Sequence, residues 1–136
     1  MQLIIYTDGG SRGNPGAAAI GVVVFSQGKE LYTHAESIGV ATNNEAEYQA
    51  FIHSVDWLVE FSQSNQVSEV RWQLDSKLVV EQLLKHWKIK EPRMKSLAEK
   101  AWKSLAKLSC SHTISHIPRA ENAVSDSLVN AALDAA

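Results

Sequence analysis

The sequence predicts an α/β fold: a five-stranded mixed sheet, three antiparallel strands and then parallel ones, flanked by helices. Three observations predict it. The first forty residues carry strand patterning with no helical period, strands and helices alternate afterwards, and two apolar runs end abruptly at an aspartate.

Gln2 to Thr7 is a short apolar run ending at Asp8. Ala17 to Phe25 is β-branched and rich in Val, and Glu30 to Gly39 alternates more loosely after a Gln27-Gly28 turn. These read as consecutive strands. Asn43 or Asn44 stands where a helix N-cap belongs, and Phe51, Val55, Leu58 and Val59 recur at helical spacing up to Phe61. Val70, Trp72 and Leu74 alternate in a fourth strand ending at Asp75, after which Leu78, Val79, Leu83 and Leu84 restore the helical period. Pro92 suits the first turn of a third helix with an apolar face of Leu97, Ala101, Trp102, Leu105 and Leu108. His112 to Ile117 reads as the last strand, and a closing helix runs from about Glu121 to Leu133.

A chain of 136 residues is the usual size of one domain, so residues 1–136 are expected to form a single core. At 45% hydrophobic and 21% charged residues, the composition excludes a disordered or collagen-like chain. Cys110 is the only cysteine, so no intrachain disulfide can form. The opening apolar run is too short for a signal peptide or a membrane span, and a cytoplasmic protein is expected.

A net charge of −2 argues, taken alone, against a polyanionic partner. The distribution argues the other way. Lys85, Lys88, Lys90, Arg93, Lys95, Lys100, Lys103 and Lys107 face only Glu91 and Glu99 over the same stretch. Such a run is either a solvated helix face or a surface for nucleic acid.

Asp8 and Asp75 end neighbouring strands at the edge where open α/β sheets bind ligands, and two carboxylates there could share a metal. Each has a local alternative. Asp8 before Gly9-Gly10 could be a turn residue, and Asp75 before Ser76 could cap the following helix. Asn44-x-x-Glu47 has the spacing of a capping box, which would occupy Glu47. Asp126, five residues past the expected helix start at Glu121, lies beyond capping range and reads locally as an exposed helical acid.

Four segments taken together resemble the type 1 ribonuclease H family. They are Tyr6-Thr7-Asp8-Gly9-Gly10-Ser11 with Gly13-Asn14-Pro15-Gly16; Thr42-Asn43-Asn44-Glu45-Ala46-Glu47; Leu74-Asp75-Ser76; and His116-Ile117-Pro118-Arg119 leading through Glu121-Asn122 to Asp126. Their order matches the family, and they span nearly the whole chain.

The resemblance implies a ribonuclease H-like fold and an endonuclease that hydrolyses the RNA strand of RNA–DNA hybrids, leaving 5′-phosphate and 3′-hydroxyl ends. It implies that Asp8, Glu47, Asp75 and Asp126 hold two Mg²⁺ ions during catalysis, with Mn²⁺ as a substitute. The chemistry needs an activated water and a stabilised leaving oxygen, which two cations roughly 3.5–4 Å apart can supply. Mg²⁺ takes oxygen ligands and keeps several waters, so a few carboxylates plus a phosphate complete its shell. His116 matches a mobile-loop histidine that assists proton transfer or product departure, a task that Arg119 could take instead.

The family pattern further implies substrate contacts at Gly9, Gly10, Asn14, Asn43, Asn44, Ser76, Lys77, Trp87, Lys88 and Arg119. Amide side chains can both donate to and accept from the 2′-hydroxyls that line a hybrid's minor groove. Lys77 departs from the glutamine common in the family, so a phosphate contact is expected there. Some members carry a full basic helix that grips the DNA strand. The segment Lys85-His86-Trp87-Lys88-Ile89-Lys90 is too short for it, and Trp87 is expected to pack against the next helix rather than stack on sugar. A weaker grip follows. Double-stranded RNA is a second substrate consistent with the sequence, and a monomer with no obligate protein partner is expected. The rival readings are a catalytically silent nucleic-acid-binding module and another nuclease of the same superfold, of the transposase, integrase or resolvase type.

Overall fold

The structure, a computed structural model, describes residues 1–136. The strands are β1 (Gln2–Gly13), β2 (Gly16–Ser26), β3 (Lys29–Ala41), β4 (Glu69–Leu74) and β5 (Ser111–His116). The helices are α1 (Asn43–Phe61), α2 (Lys77–Leu83), α3 (Pro92–Leu105) and α4 (Ala123–Ala135), with a 3-10 turn over Arg119–Asn122. One sheet holds all five strands in the order β3-β2-β1-β4-β5. β1, β2 and β3 pair antiparallel, while β4 runs parallel to both β1 and β5, as the sequence predicts.

The main core lies between this sheet and the helices. Leu3, Ile5, Val22, Val24, Val70, Trp72 and Leu74 from the strands meet Phe51, Val55 and Leu58 of α1, Val79 and Leu83 of α2, and Ala98 and Ala101 of α3. Two hydrogen-bonded polar pairs lie inside it. The buried indole of Trp72 donates from Nε1 to Ser54 Oγ at 2.9 Å, and Tyr48 donates its hydroxyl proton to Gln82 Oε1 at 2.6 Å. A smaller apolar cluster of Ala19, Val129 and Leu133 joins α4 to the sheet. No helix is long and apolar enough to cross a membrane.

Three boundaries differ from those the sequence suggests, each for a local reason. β1 does not end at Asp8; Gly9 to Gly13 continue it because they keep pairing with β2, opposite Ile20 to Gly16. The N-cap of α1 is Thr42 rather than Asn43 or Asn44: its hydroxyl accepts from the Glu45 N–H, and the Glu45 carboxylate accepts from the Thr42 N–H. The capping box, Thr42-x-x-Glu45, is therefore two residues earlier than Asn44-x-x-Glu47. α4 starts at Ala123 rather than Glu121, because Arg119 to Asn122 wind as a tighter turn, and this puts Asp126 inside the first turn. The Gln27-Gly28 turn is as expected, both residues having positive φ (51° and 77°), the backbone of a two-residue hairpin turn.

Ser54→Ala strands the Trp72 indole N–H in the core, and we expect it to lower the unfolding free energy by about 1–3 kcal/mol. Urea denaturation checks this. A loss within about 0.5 kcal/mol, the range of ordinary surface changes, would count against that hydrogen bond as a core constraint.

Candidate functional site

Parallel pairing of β1 with β4 stops at Thr7 opposite Leu74, and that of β4 with β5 stops at Leu74 opposite His116. Asp8, Asp75 and His116 therefore stand at one edge of the sheet. Asp8 still pairs with Gly21 of β2, so its backbone is fixed on one side while its other side has left the parallel ladder.

Glu47 arrives from α1. A Cβ at Gly9 would stand 2.2 Å from the carbonyl carbon of Ala46 and 2.4 Å from the Glu47 nitrogen, so only glycine lets β1 lie this close to the helix. The Gly9 N–H donates to Glu47 Oε1 at 2.5 Å. With the capping role taken by Thr42 and Glu45, the Glu47 carboxylate is free to turn inward. Asp75 is likewise not the cap of α2; Ser76 is, accepting from the Val79 N–H at 3.3 Å.

The outcome is a convergence of carboxylates from three elements. Asp8, Glu47 and Asp75 offer oxygens that all lie within 4.8 Å of one another. Asp8 and Glu47 are only 4% and 5% exposed. Oε2 of Glu47 is buried and has no hydrogen-bond partner. An orphaned anionic oxygen in such a cluster fits a divalent cation, since buried charge is otherwise paired or neutralised. Asp126 is not within that tight group, but its charge is felt at Asp8.

The electrostatics follow from burial and crowding. Burial, with the charges of Asp75 and Asp126, pushes Asp8 up from its usual 3.8 to about 6, although the adjacent Glu47 carboxyl and the Arg119 cation pull the other way. Burial also pushes Glu47 well above the usual range, reinforced by the adjacent Asp8 and by the charge of Asp75, against the Gly9 N–H that it accepts. Both shifts favour protonation in this crowded pair, and a bound cation would relieve the same repulsion.

Asn122 is a residue whose role sequence reasoning missed. It is buried, and its amide donates to Asp75 Oδ2 at 3.0 Å and to the Thr7 carbonyl at 2.9 Å, while its Oδ1 accepts from Ser125 Oγ at 2.5 Å. It thus ties Asp75 to β1 and to the start of α4. Its only sequence signal is its place in the last motif, four residues before Asp126.

The remaining expected contact residues separate into groups. Asn43 Oδ1 accepts from the Ser11 N–H at 2.8 Å, and Asn14 Oδ1 accepts from the Asn43 N–H at 2.9 Å, so both carbonyl oxygens hold the β1–β2 hairpin to α1. Their NH₂ groups stay available. Asn14 and Asn44 line an open cleft with Arg93. Gly10 lies against Val129, where a Cβ would come within 3.3 Å. Lys77 is exposed in the first turn of α2, and His116 and Arg119 are exposed beside the carboxylates. Trp87 does not pack as expected: it is 44% exposed in the α2–α3 connection, and Trp102 is the aromatic that packs there, donating to the Leu83 carbonyl. Trp87 and Lys88 line a cleft with Lys85, Lys95 and Trp102, and Lys85 Nζ lies 4.7 Å from the centre of the Trp102 ring.

Residues 1–134 match the ribonuclease H family. The chain is 41% identical over 138 residues to a bifunctional protein of Mycobacterium tuberculosis, a match covering all of this chain and 36% of that protein. The chain thus spans about a third of the length of the mycobacterial relatives it matches. Among solved structures, ribonuclease H1 of Halobacterium salinarum superposes with a TM-score of 0.91 at 36% identity, covering 100% of both chains. LC11-RNase H1 in complex with an RNA/DNA hybrid superposes with a TM-score of 0.92 at 41% identity, covering 98% of this chain and 97% of that one.

An acid whose pKa is raised by folding holds a proton that the unfolded chain has already released, so it favours the fold below its unfolded pKa and that contribution is lost as pH rises through the folded value. For Asp8 the window runs from 3.8 to about 6, and Glu47 shifts in the same direction. We expect the thermal midpoint in EDTA to fall as pH rises across that window. Replacing Glu47 by Gln should flatten the fall. A midpoint that climbs through the window in EDTA would contradict the geometry.

Proposed function

We propose, because the chain belongs to the ribonuclease H family, that it is a metal-dependent endonuclease cutting the RNA strand of RNA–DNA hybrids. The observation that carries the reading is the convergence of Asp8, Glu47 and Asp75 around an unpartnered, buried Glu47 oxygen. Divalent cations, Mg²⁺ or Mn²⁺ in its place, would supply an activated water and neutralise charge on the departing 3′ oxygen.

The chain's own residues do the rest. Asp8, Glu47, Asp75 and Asp126 would hold the ions, with Asp8 in the central position that the family pattern implies. Asn122 keeps one oxygen of Asp75 in place, as outer-shell partners of ligating carboxylates do. His116 and Arg119, exposed at the same edge, are the groups that can pass a proton or meet a phosphate. The NH₂ groups of Asn14 and Asn43, left over from their structural hydrogen bonds, can address 2′-hydroxyls in the hybrid's minor groove. Of the other contacts that the family pattern implies, Gly9 and Gly10 would offer backbone beside Asp8, Ser76 and Lys77 the start of α2 beside Asp75, and Asn44 the cleft by Arg93.

The cleft around Lys85, Trp87 and Lys88 supplies a second, smaller grip. Its basic side chains meet backbone phosphates and the exposed Trp87 ring meets sugar. The related LC11-RNase H1, solved with a hybrid bound, supports a hybrid as the substrate class.

The decisive assay is cleavage of an end-labelled RNA–DNA hybrid beside double-stranded RNA, double-stranded DNA and single-stranded RNA, in Mg²⁺, Mn²⁺ or EDTA. Metal-dependent cutting of the hybrid's RNA strand, abolished by Asp75→Asn, is the expected result. Binding without cutting in either metal would leave the silent-module reading. For the second grip, Lys88→Ala should weaken hybrid binding and reduce the slope of log K against log salt by about 1. An unchanged slope would remove Lys88 from the interface.

A further inference from the structure

A second cluster of ligating side chains lies at the far edge of the sheet, two strands away from β1. His34 and Glu36 of β3 and His53 of α1 offer atoms that all lie within 4.8 Å of one another. The fold builds the arrangement. Tyr32, His34 and Glu36 alternate along the edge strand opposite Val24, Val22 and Ile20, so they share one face, and that face meets α1.

The two imidazole rings stack with centroids 4.0 Å apart and planes at 10°. Nε2 of His34 is 2.8 Å from Glu36 Oε1, and the Tyr32 hydroxyl is 2.9 Å from Nε2 of His53. Both histidines are half-buried and Glu36 is exposed at the rim. An open cleft of about 390 Å³ adjoins the cluster, lined by Glu36, His53, Asp56 and Lys100. Asp56 is engaged by the Ser104 hydroxyl at 2.8 Å, so it adds negative charge nearby without being a free ligand.

We propose that His34, His53 and Glu36 form a second cation site, distinct from the carboxylate centre, that takes a divalent first-row transition ion of the Zn²⁺ class. Two imidazole nitrogens and one carboxylate oxygen are a mixed donor set suited to Zn²⁺, Ni²⁺ or Cu²⁺, whereas Mg²⁺ prefers oxygen alone. The carboxylate and imidazole that now share a hydrogen bond would share the ion instead, the His34 ring proton moving to Nδ1 as Nε2 binds. Three protein ligands leave a fourth position toward the cleft for water. The Tyr32 hydroxyl serves as the outer partner that fixes the His53 ring.

The near-parallel rings turn out of their stack when they take the ion, because an imidazole lone pair lies in the plane of its ring. Burial and the neighbouring His34 hold His53 below its usual 6.5, against the opposing pull of Glu36 and Asp56. The bound ion would clamp the edge strand β3 to α1, closing the exposed side of the sheet. The molecule would then sort cations by donor chemistry: hard ions to the all-oxygen centre, borderline ions to the histidines.

The test is a Zn²⁺ titration of the full chain, with Mg²⁺ in large excess, followed by NMR of the histidine ring nitrogens and by calorimetry. One equivalent should shift the ring signals of His34 and His53 while those of His86, His112 and His116 stay put. His34→Asn should weaken Zn²⁺ binding by about tenfold or more, as loss of a ligand does, while Asp75→Asn leaves it intact. Static His34 and His53 signals through a several-fold excess of Zn²⁺ would overturn the proposal. So would Zn²⁺ binding lost in Asp75→Asn and retained in His34→Asn. The ring signals of the unsubstituted chain decide the matter even if the variant folds poorly.

Discussion

The contact on which the site depends is the approach of β1 to the first turns of α1 at Gly9. Strand and helix backbones meet there with no side chain between them, and the Gly9 N–H is given to Glu47. Asp8 and Glu47 are therefore neighbours by construction, one from each side of the seam. Any larger residue at position 9 would push α1 outward and separate the carboxylates. That displacement would also disturb Ala46, Tyr48 and Phe51, which are buried in the same helix.

Bringing those acids together is unfavourable by itself. Both have their protonated forms favoured by burial and by nearby negative charge, from Asp75 and Asp126 at Asp8 and from Asp8 and Asp75 at Glu47, the signature of groups held close by something other than their own attraction. The holding force is the apolar core beneath. Trp72, Phe51, Val55 and Leu58 fix α1 on the sheet, and paired polar groups such as Trp72 with Ser54 and Tyr48 with Gln82 fix its rotation. A helix so anchored cannot rotate Glu47 out into water without breaking buried contacts. The strain stays at the site, where a cation can relieve it.

Most of the fold was legible because its period is plain: alternation in β1, β2 and β4, and helical spacing in α1 and α3, place those elements directly. Asp8 and Asp75 were legible as strand-end acids for the same reason. Glu47 was hidden locally, since a capping box at Asn44 and one at Thr42 look alike until the backbone shows which residue is extended. The continuation of β1 beyond Asp8 was invisible for a different reason. Gly-Gly reads as a turn, and only its pairing with Ala19 and Ile20 of β2 turns it into strand. The tight turn over Arg119–Asn122 and the exposure of Trp87 are likewise set by tertiary packing, which no local period encodes.

Capping explains how the acids become available at all. At each helix beside the site a neighbour takes the local role: Thr42 with Glu45 caps α1 and releases Glu47, and Ser76 caps α2 and releases Asp75. α4 breaks the pattern. Asn122 occupies its N-cap position, yet its side chain makes no capping hydrogen bond and reaches instead to Asp75 and the Thr7 carbonyl. A cap of the asparagine type commonly contributes about 1 kcal/mol, so the helix forgoes a local stabilisation that its sequence could have supplied. Such a departure from local preference marks a position whose side chain is committed elsewhere. Here the commitment links the ends of β1 and β4 to the helix that carries Asp126, so one amide holds together the three elements that bring Asp8, Asp75 and Asp126 to the same edge of the sheet.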